Sequence, residues 1–411
     1  MLDVAVIGGG AAGFFAAINI KEKQPHLNVA IFEKTKTPLG KVKISGGGRC
    51  NVTHACFDNQ ELVKYYPRGR KELLSVFEKF NPKDTISWFK RRGVELKIEK
   101  DGRMFPESDA SDTIIDCFYK SCATLKIPIN LQQTFENFET RDNHYEIQIN
   151  GQKILTKYLV IASGSSQYLW EKLRGKNIPI VNPVPSLFTF NIKNPLINDL
   201  MGIVMPKARV SLLVDKNLIK TYKINNQDMH QTGPVLITHW GLSGPGILKL
   251  SSIGARILHH LDYQFEIILN MTGLDEASII NNLKQKKLED SKKKIDANPL
   301  FQISSRLWEK ICVTCNLTDK KWADISNKEL TQLMTILCQY KLIVNGKSTN
   351  KDEFVTAGGV DLSSIDFKTM QSKVFKNLFF AGEILDIDAL TGGFNFQAAW
   401  SEAWIISENI T

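Results

Sequence analysis

Residues 4–13 read VAVIGGGAAG, an apolar strand that runs straight into Gly8-x-Gly10-x-x-Gly13. Glu33 follows 20 residues after Gly13, at the end of a second apolar run, VAIFE (29–33). A strand, a glycine turn, a helix and a strand ending in an acid make one βαβ unit that grips an ADP moiety. Gly8 permits the tight turn, Gly10 lets the backbone approach a pyrophosphate, and Gly13 lets helix and strand pack closely. The helix N-terminus turns unpaired N–H groups and about half a positive charge toward the phosphates. Glu33 suits ribose hydroxyls and would repel a 2′-phosphate. The pattern therefore favours FAD or NAD over NADP.

At 411 residues the chain exceeds one ordinary domain. After the opening unit comes a glycine-rich loop, KISGGGRCN (43–51). Asn81-Pro82 predicts a helix N-cap with proline at the first helical position, and Gly93 ends that helix. Ser111 is expected to cap another, whose apolar positions Ile114, Ile115, Phe118, Cys122 and Leu125 repeat at helical spacing. HYEIQI (144–149) suggests an antiparallel ribbon, and LVIASG (159–164) a buried parallel strand. LFTFNI, ARVSLLV and PVLITHWG then read as a β-rich domain, resuming at YKLIVNG (340–346) after a glycine-poor helical stretch. The last residues return to nucleotide-domain character: LFFAGE (378–383), LTGGFNF (390–396) and an apolar helix. The expected fold is α/β: a discontinuous Rossmann-like FAD-binding domain (1–185 plus 355–411), an inserted β-barrel-like domain (186–268 plus 339–354) and a helical insertion (269–338).

Lys plus Arg outnumber Asp plus Glu by 52 to 43, a formal +9. The densest basic stretch, KQKKLEDSKKK (284–294), lacks interleaved aromatics, and a solvated helix face explains it. No nucleic-acid partner and no membrane span are expected. Seven cysteines argue against a disulfide framework, and Cys312-x-x-Cys315 has no second pair or His cluster to complete a zinc site. No metal is expected, and a reducing cytoplasm is the default compartment.

Gly382-Glu383, at the end of the terminal strand, places an acid where a ribityl hydroxyl can be held. Gly392-Gly393-Phe394-Asn395 opens the last helix, whose N-terminus would stabilise negative charge on a reduced flavin by roughly 0.3–2 kcal/mol. At this point the chain resembles the BaiN/YhiN-type family of FAD-dependent oxidoreductases, some of whose members are labelled aminoacetone oxidases. The matching segments are VIGGGAAG (6–13), KISGGGRCNVT (43–53), GRMFPESDASD (102–112), THWGLSGPGIL (238–248), VTAGGVDL (355–362) and FFAGEILDIDALTGGFNFQAAW (379–400).

The resemblance implies that Gly8, Gly10, Ala11, Ala12, Gly13, Glu33 and Lys34 hold the ADP half, with adenine near Phe135. Ser45, Gly46, Gly47, Arg49, Cys50 and Asn51 would run along the ribityl and ring side, and Gly382, Glu383, Gly393, Phe394 and Asn395 would close the other. Ala162, Ser163 and Gly164 keep the family's contacts, although ASGSSQYLWEKLRG (162–175) lacks the longer glycine loop the family carries there. The implied activity is NAD(P)H-linked reduction of an unsaturated carbonyl compound, a small molecule. Amine oxidation and a basic, nucleic-acid-associated flavoprotein are the alternatives. No second GxGxxG exists, so NAD(P)H would dock transiently. Arg49 reads as a partner of pyrophosphate or reduced flavin, or as a structural ion pair. Cys50 reads as a redox partner or a packing residue, and His239 as an acid/base or a structural histidine. Arg103 is a further candidate for an anionic substrate.

Overall fold

A computed structural model describes residues 2–348 and 355–411. The chain divides into two compact units, Met1–Val184 with Val355–Thr411 and Pro185–Phe354. The first is a Rossmann-like α/β unit. β1 (Leu2–Ile7) leads through α1 (Ala11–Lys23) to β2 (Val29–Glu33). β1 pairs in parallel on both flanks, with β2 on one side and the strand Gln152–Ile161 on the other. Ile129–Leu131 extends the sheet beyond β2, and Leu378–Phe380 pairs in parallel with Gln152–Ile161. The C-terminal segment therefore completes the sheet that the N-terminal segment begins. Leu159, Val160 and Ile161 are buried on both faces, as their unbroken apolar run requires. The ribbon expected at 144–149 is also present, as the middle strand between Phe135–Arg141 and Gln152–Ile161.

α1 is preceded by Gly10 as N-cap and ends over Lys21 and Lys23, basic residues that suit the negative end of its dipole. Its buried residues include Phe14, Phe15, Ala16 and Ile18. The last helix (Phe394–Asn409) packs along it and brings Trp400, whose ring lies 5.2 Å from Phe15 and 5.7 Å from Phe118. Trp400 is fully buried, and its indole N–H donates to the Val52 carbonyl at 3.0 Å.

Asn81 caps Pro82–Lys90 as expected, with Asp84 closing a capping box and Gly93 ending the turn at φ 76°. Ser111 is not a cap. It is the first residue of Ser111–Thr124, Ala110 precedes it, and its hydroxyl donates to the Lys43 carbonyl at 2.9 Å. A tertiary acceptor has taken the group that local preference assigned to the helix end. The loop expected at 43–51 begins inside α2 (Gly40–Gly48), which leaves helical geometry at Ser45 (ψ 148°) and turns left-handed at Gly46 and Gly47.

In the second unit, strands lie at Thr189–Asn191, Arg209–Leu213, Val235–Ile237 and Tyr340–Asn345, and the part of the expected β segment at 349–354 lies outside the described residues. Among the described residues these strands join a five-stranded and a four-stranded sheet, not one closed ring. Helices Glu276–Glu289, Ser305–Thr314 and Asn327–Cys338 bury Leu283, Trp308 and Leu333 in the same cluster as Val210 and Ile267 from the strands. The basic stretch is a solvated surface laced with ion pairs, among them Lys286–Asp290 and Lys294–Asp319. Cys312 and Cys315 are buried packing thiols, raised by burial to about 12 and about 11. No described helix is long and apolar enough to cross a membrane.

Replacing Trp400 with Ala removes the largest side chain between α1 and the last helix and orphans the Val52 carbonyl. The expected loss is about 3–5 kcal/mol, read from denaturant unfolding followed by near-UV circular dichroism.

Candidate functional site

The carboxyl ends of the parallel strands converge on one edge of the first unit. Gly8 follows β1, Glu33 ends β2, Ala162 follows Gln152–Ile161, and Gly382 lies just beyond Leu378–Phe380. Ligands of open α/β sheets bind at such an edge. Sterics there are severe. A Cβ on Gly13 would stand 1.9 Å from the Gly8 carbonyl oxygen, and one on Gly8 2.4 Å from that of Ala162. Around Gly10, by contrast, a Cβ would meet nothing within 4 Å. Gly10 is the N-cap of α1, no side chain caps that helix, and its first turn holds no acid. Open space before an uncapped helix N-terminus fits a diphosphate.

Glu33 lines this space half-buried. Its Oε2 accepts from Gly9 N at 2.7 Å and its Oε1 from Thr35 N at 2.8 Å, which fixes the carboxylate beside the turn. Lys34 is exposed next to it. Gln133 N donates to the Glu33 carbonyl at 2.8 Å, and so brings the chain leading to Phe135 alongside. Phe135 itself is buried at the start of the ribbon. Ala162 N bonds to Ile7 O at 2.8 Å, and the Ser163 hydroxyl is buried without a partner. A stranded hydroxyl at this edge is a donor waiting for a ligand.

The second wall is made by residues 45–54 and the last helix. Trp400 holds Val52, and Gln397 Oε1 accepts from the Thr53 hydroxyl at 2.6 Å and the Thr85 hydroxyl at 2.9 Å. Asn51 points its amide nitrogen at Thr53 O (3.0 Å) and accepts from Gly393 N at 3.0 Å. Gly393 is left-handed (φ 88°), and a Cβ there would lie 2.6 Å from Thr53 O. Phe394 stacks 4.6 Å from His54 and 4.1 Å from Tyr65. Asn395 Oδ1 accepts from Ala389 N at 2.9 Å and shapes the approach to the helix, whose first turn holds no acid. Ser45, Gly46 and Gly47 lead into this wall and are exposed or half-buried. Glu383 forms an ion pair with Lys41.

The reactive candidates separate sharply. Arg49 donates to Glu99 at 2.6 Å and Asp109 at 3.4 Å, and lies 3.9 Å over the Phe105 ring. Arg103 reaches the other Glu99 oxygen at 3.2 Å and Asp101 at 2.8 Å. Both cations therefore have acidic partners. Cys50 is fully buried at φ 61°, and burial pushes its thiol to about 12 against a hydrogen bond from Ser45. It is a neutral thiol near pH 7, the state of a packing residue and not of a redox nucleophile. His239 lies in the other unit, exposed in the turn between Val235–Ile237 and Gly241–Ser243.

Two groups escaped the sequence reading. The first is His54, whose ring is held by Asp101 O at 3.1 Å and lowered in pKa chiefly by burial. The second is Glu402. It is fully buried in the last helix, accepts from Gly382 N at 2.6 Å, and is pushed up to about 8 by burial against that hydrogen bond. The available signal was an acid inside a helix that is apolar on nearly every side.

A family model described as HI0933-like protein Rossmann domain matches residues 2–409. The chain belongs to that family. HI0933-like proteins are FAD-dependent oxidoreductases, so the enzyme class is established with the family. The chain is 24% identical to the ribosomal RNA dihydrouridine synthase of Escherichia coli, over 99% of this chain and 98% of that one. It is 23% identical to the 3-dehydro-bile acid delta(4,6)-reductase of Clostridium scindens, over 98% of each. Among solved structures, 3-ketosteroid-delta4-(5alpha)-dehydrogenase from Rhodococcus jostii shares the fold, with a TM-score of 0.50 at 11% identity over 98% of this chain and 96% of that one.

Gly13→Ala forces its methyl into the Gly8 carbonyl and must displace either α1 or the turn. The protein is expected to lose FAD on gel filtration while keeping its helical circular dichroism. Retention of FAD would show that the turn does not carry the nucleotide.

Proposed function

We propose that the strand-end cradle binds FAD and that the enzyme uses it to reduce a C=C bond conjugated to a carbonyl, with uridine in ribosomal RNA the best-supported substrate. One observation carries the reading: the full-length relatives act on two unlike molecules that share one functional group. In a 3-oxo steroid with Δ4 unsaturation the alkene is conjugated to the ketone. In uridine the C5=C6 bond is conjugated to the C4 carbonyl. Once reduced by NAD(P)H, bound flavin would supply a hydride to the β carbon of either system, and a proton would add at the α carbon.

Each residue's part follows from its position. The N–H groups of Ala11, Ala12 and Gly13, at the uncapped end of α1, take the diphosphate, with Gly8 and Gly10 giving close approach. Glu33 accepts from ribose hydroxyls, with Lys34 beside it and the backbone near Phe135 against adenine. Ala162, the Ser163 hydroxyl, Gly164, Gly382 and Glu383 line one side of the ribityl chain. Ser45, Gly46, Gly47 and Asn51 line the other, and the Gly393–Asn395 helix start faces the ring edge where charge grows on reduction. Arg49 and Cys50 shape this wall through Glu99 and through packing. NAD(P)H docks transiently, for want of a second nucleotide fingerprint. The inserted unit is proposed as the β-rich and helical domains of the family, with His239 exposed in one of its turns.

The RNA substrate departs from the expectation of a small molecule. The +9 charge, read there as a solvated surface, supports it together with the full-length kinship to the synthase. Holoenzyme with NADPH or NADH and unmodified ribosomal RNA should bleach the flavin anaerobically and yield dihydrouridine, read by mass spectrometry of the digested nucleosides as a gain of two hydrogens. RNA binding should weaken steeply with salt. Turnover of a 3-oxo-Δ4 steroid but not RNA would move the substrate to the steroid class. Flavin reduced by an amine but by neither nicotinamide would overturn the reductase reading.

A further inference from the structure

Glu402 has no ordinary structural explanation. Its side chain is fully buried, and one carboxyl oxygen, Oε2, accepts from the Gly382 amide at 2.6 Å. The other, Oε1, is buried with no partner. A buried acid with half its hydrogen-bonding capacity unused is costly, and a packing role would be filled more cheaply by an apolar residue. What it touches is informative. Gly382 is left-handed (φ 80°), and a Cβ on it would lie 3.2 Å from the Ala12 methyl, in the first turn of α1. The next residue is Glu383, paired with Lys41. Glu402 therefore lies behind the contact between two segments that, on the reading above, both face the dinucleotide.

We propose that the Glu402 carboxyl is a positioning group for the flavin nucleotide: it sets the Gly382 turn against the first turn of α1, and the grip on the cofactor depends on its charge. The inference rests on the FAD reading of the cradle. Besides α1, the last helix packs against Arg70–Phe77, with Arg70, Lys71 and Glu72, against Pro82–Lys90, with Lys83, Asp84 and Lys90, and against Thr53–His54. α1 carries its charged residues at its far end, at Lys21, Glu22 and Lys23. From the strand side comes Glu383, with Lys41. From the segment before Arg68 comes the Tyr66 phenol, itself raised by burial and by Glu402, with Cys56 adding to that rise. Tyr66 donates its proton to the Phe394 carbonyl at 2.6 Å, so it is not spent on Glu402. No described cation offsets the carboxylate: burial raises it to about 8, and the Gly382 N–H opposes this only in part. As a neutral acid, Glu402 braces the turn without adding charge. As an anion it places an uncompensated negative charge behind the turn that meets the diphosphate end of α1, in a cradle that already holds Glu33. FAD and the Glu402 proton then bind cooperatively, and linkage makes the effect reciprocal.

Glu402→Gln separates charge from shape. The carboxamide oxygen keeps the Gly382 bond, and the side chain stays neutral at every pH. Apo-protein is titrated with FAD by fluorescence quenching on both sides of pH about 8. The wild-type Kd is expected to rise on the order of tenfold toward alkaline pH, within the usual range of coupling, while Glu402→Gln holds its acid-side value throughout. Difference infrared spectra of the wild type should show a carboxylic-acid C=O band that disappears near that pH and shifts to higher pH when FAD is bound. This second measurement decides the matter if the variant does not fold. Matching pH profiles for the two proteins, or an acid band that ignores FAD, overturns the proposal. Failure of the wild type to take up FAD at any pH is a different result, and overturns the cofactor reading itself.

Discussion

The structure depends on a contact with no room in it. Gly13 meets the Gly8 carbonyl, and Gly8 meets the Ala162 carbonyl, at distances that admit hydrogen and nothing larger. This draws α1, β1 and the strand Gln152–Ile161 together so tightly that their ends share one edge. Everything chemical in the first unit is referenced to that edge: the uncapped start of α1, the Glu33 carboxylate pinned by Gly9 and Thr35, the stranded Ser163 hydroxyl and the Gly382 turn. Hydrophobic burial then holds the arrangement from behind, through Phe15, Phe118 and Trp400.

The second wall is built on a different principle. Residues 45–54 have little regular structure, and their polar groups, backbone and side chain, need partners from elsewhere. The last helix provides them: Trp400 for Val52, Gln397 for Thr53, and the Gly393 amide for Asn51. One wall is thus held by close packing of backbone on backbone and the other by buried side-chain hydrogen bonds.

Much of this was legible in the chain. The βαβ fingerprint, the capped helix at Asn81-Pro82 and the unbroken apolar strand at 159–161 each announce themselves through local rules, and the structure agrees with them. The failures came where a distant group outbid a local one. Ser111 is a good cap by composition, yet the Lys43 carbonyl claims its hydroxyl. Arg49 was readable as a phosphate or flavin partner or as a structural ion pair, and only the hairpin that carries Glu99 and Asp109 puts those acids beside it. Glu402 was only half legible: its apolar helix marks it in the sequence, but only the folded chain shows that Gly382 lies in front of it.

Because Leu378–Phe380 pairs with Gln152–Ile161, and the last helix lies along α1, the first unit is stitched from segments far apart in the chain. Contacts of such long range are slow to form, since loop closure comes before any reward. Opening strands made early in synthesis must therefore wait, with an open sheet edge, until residues 378–409 emerge. The inserted unit, Pro185–Phe354, is contiguous and meets no such delay. It can fold first on the nascent chain and shorten the effective loop between the two halves of the nucleotide domain.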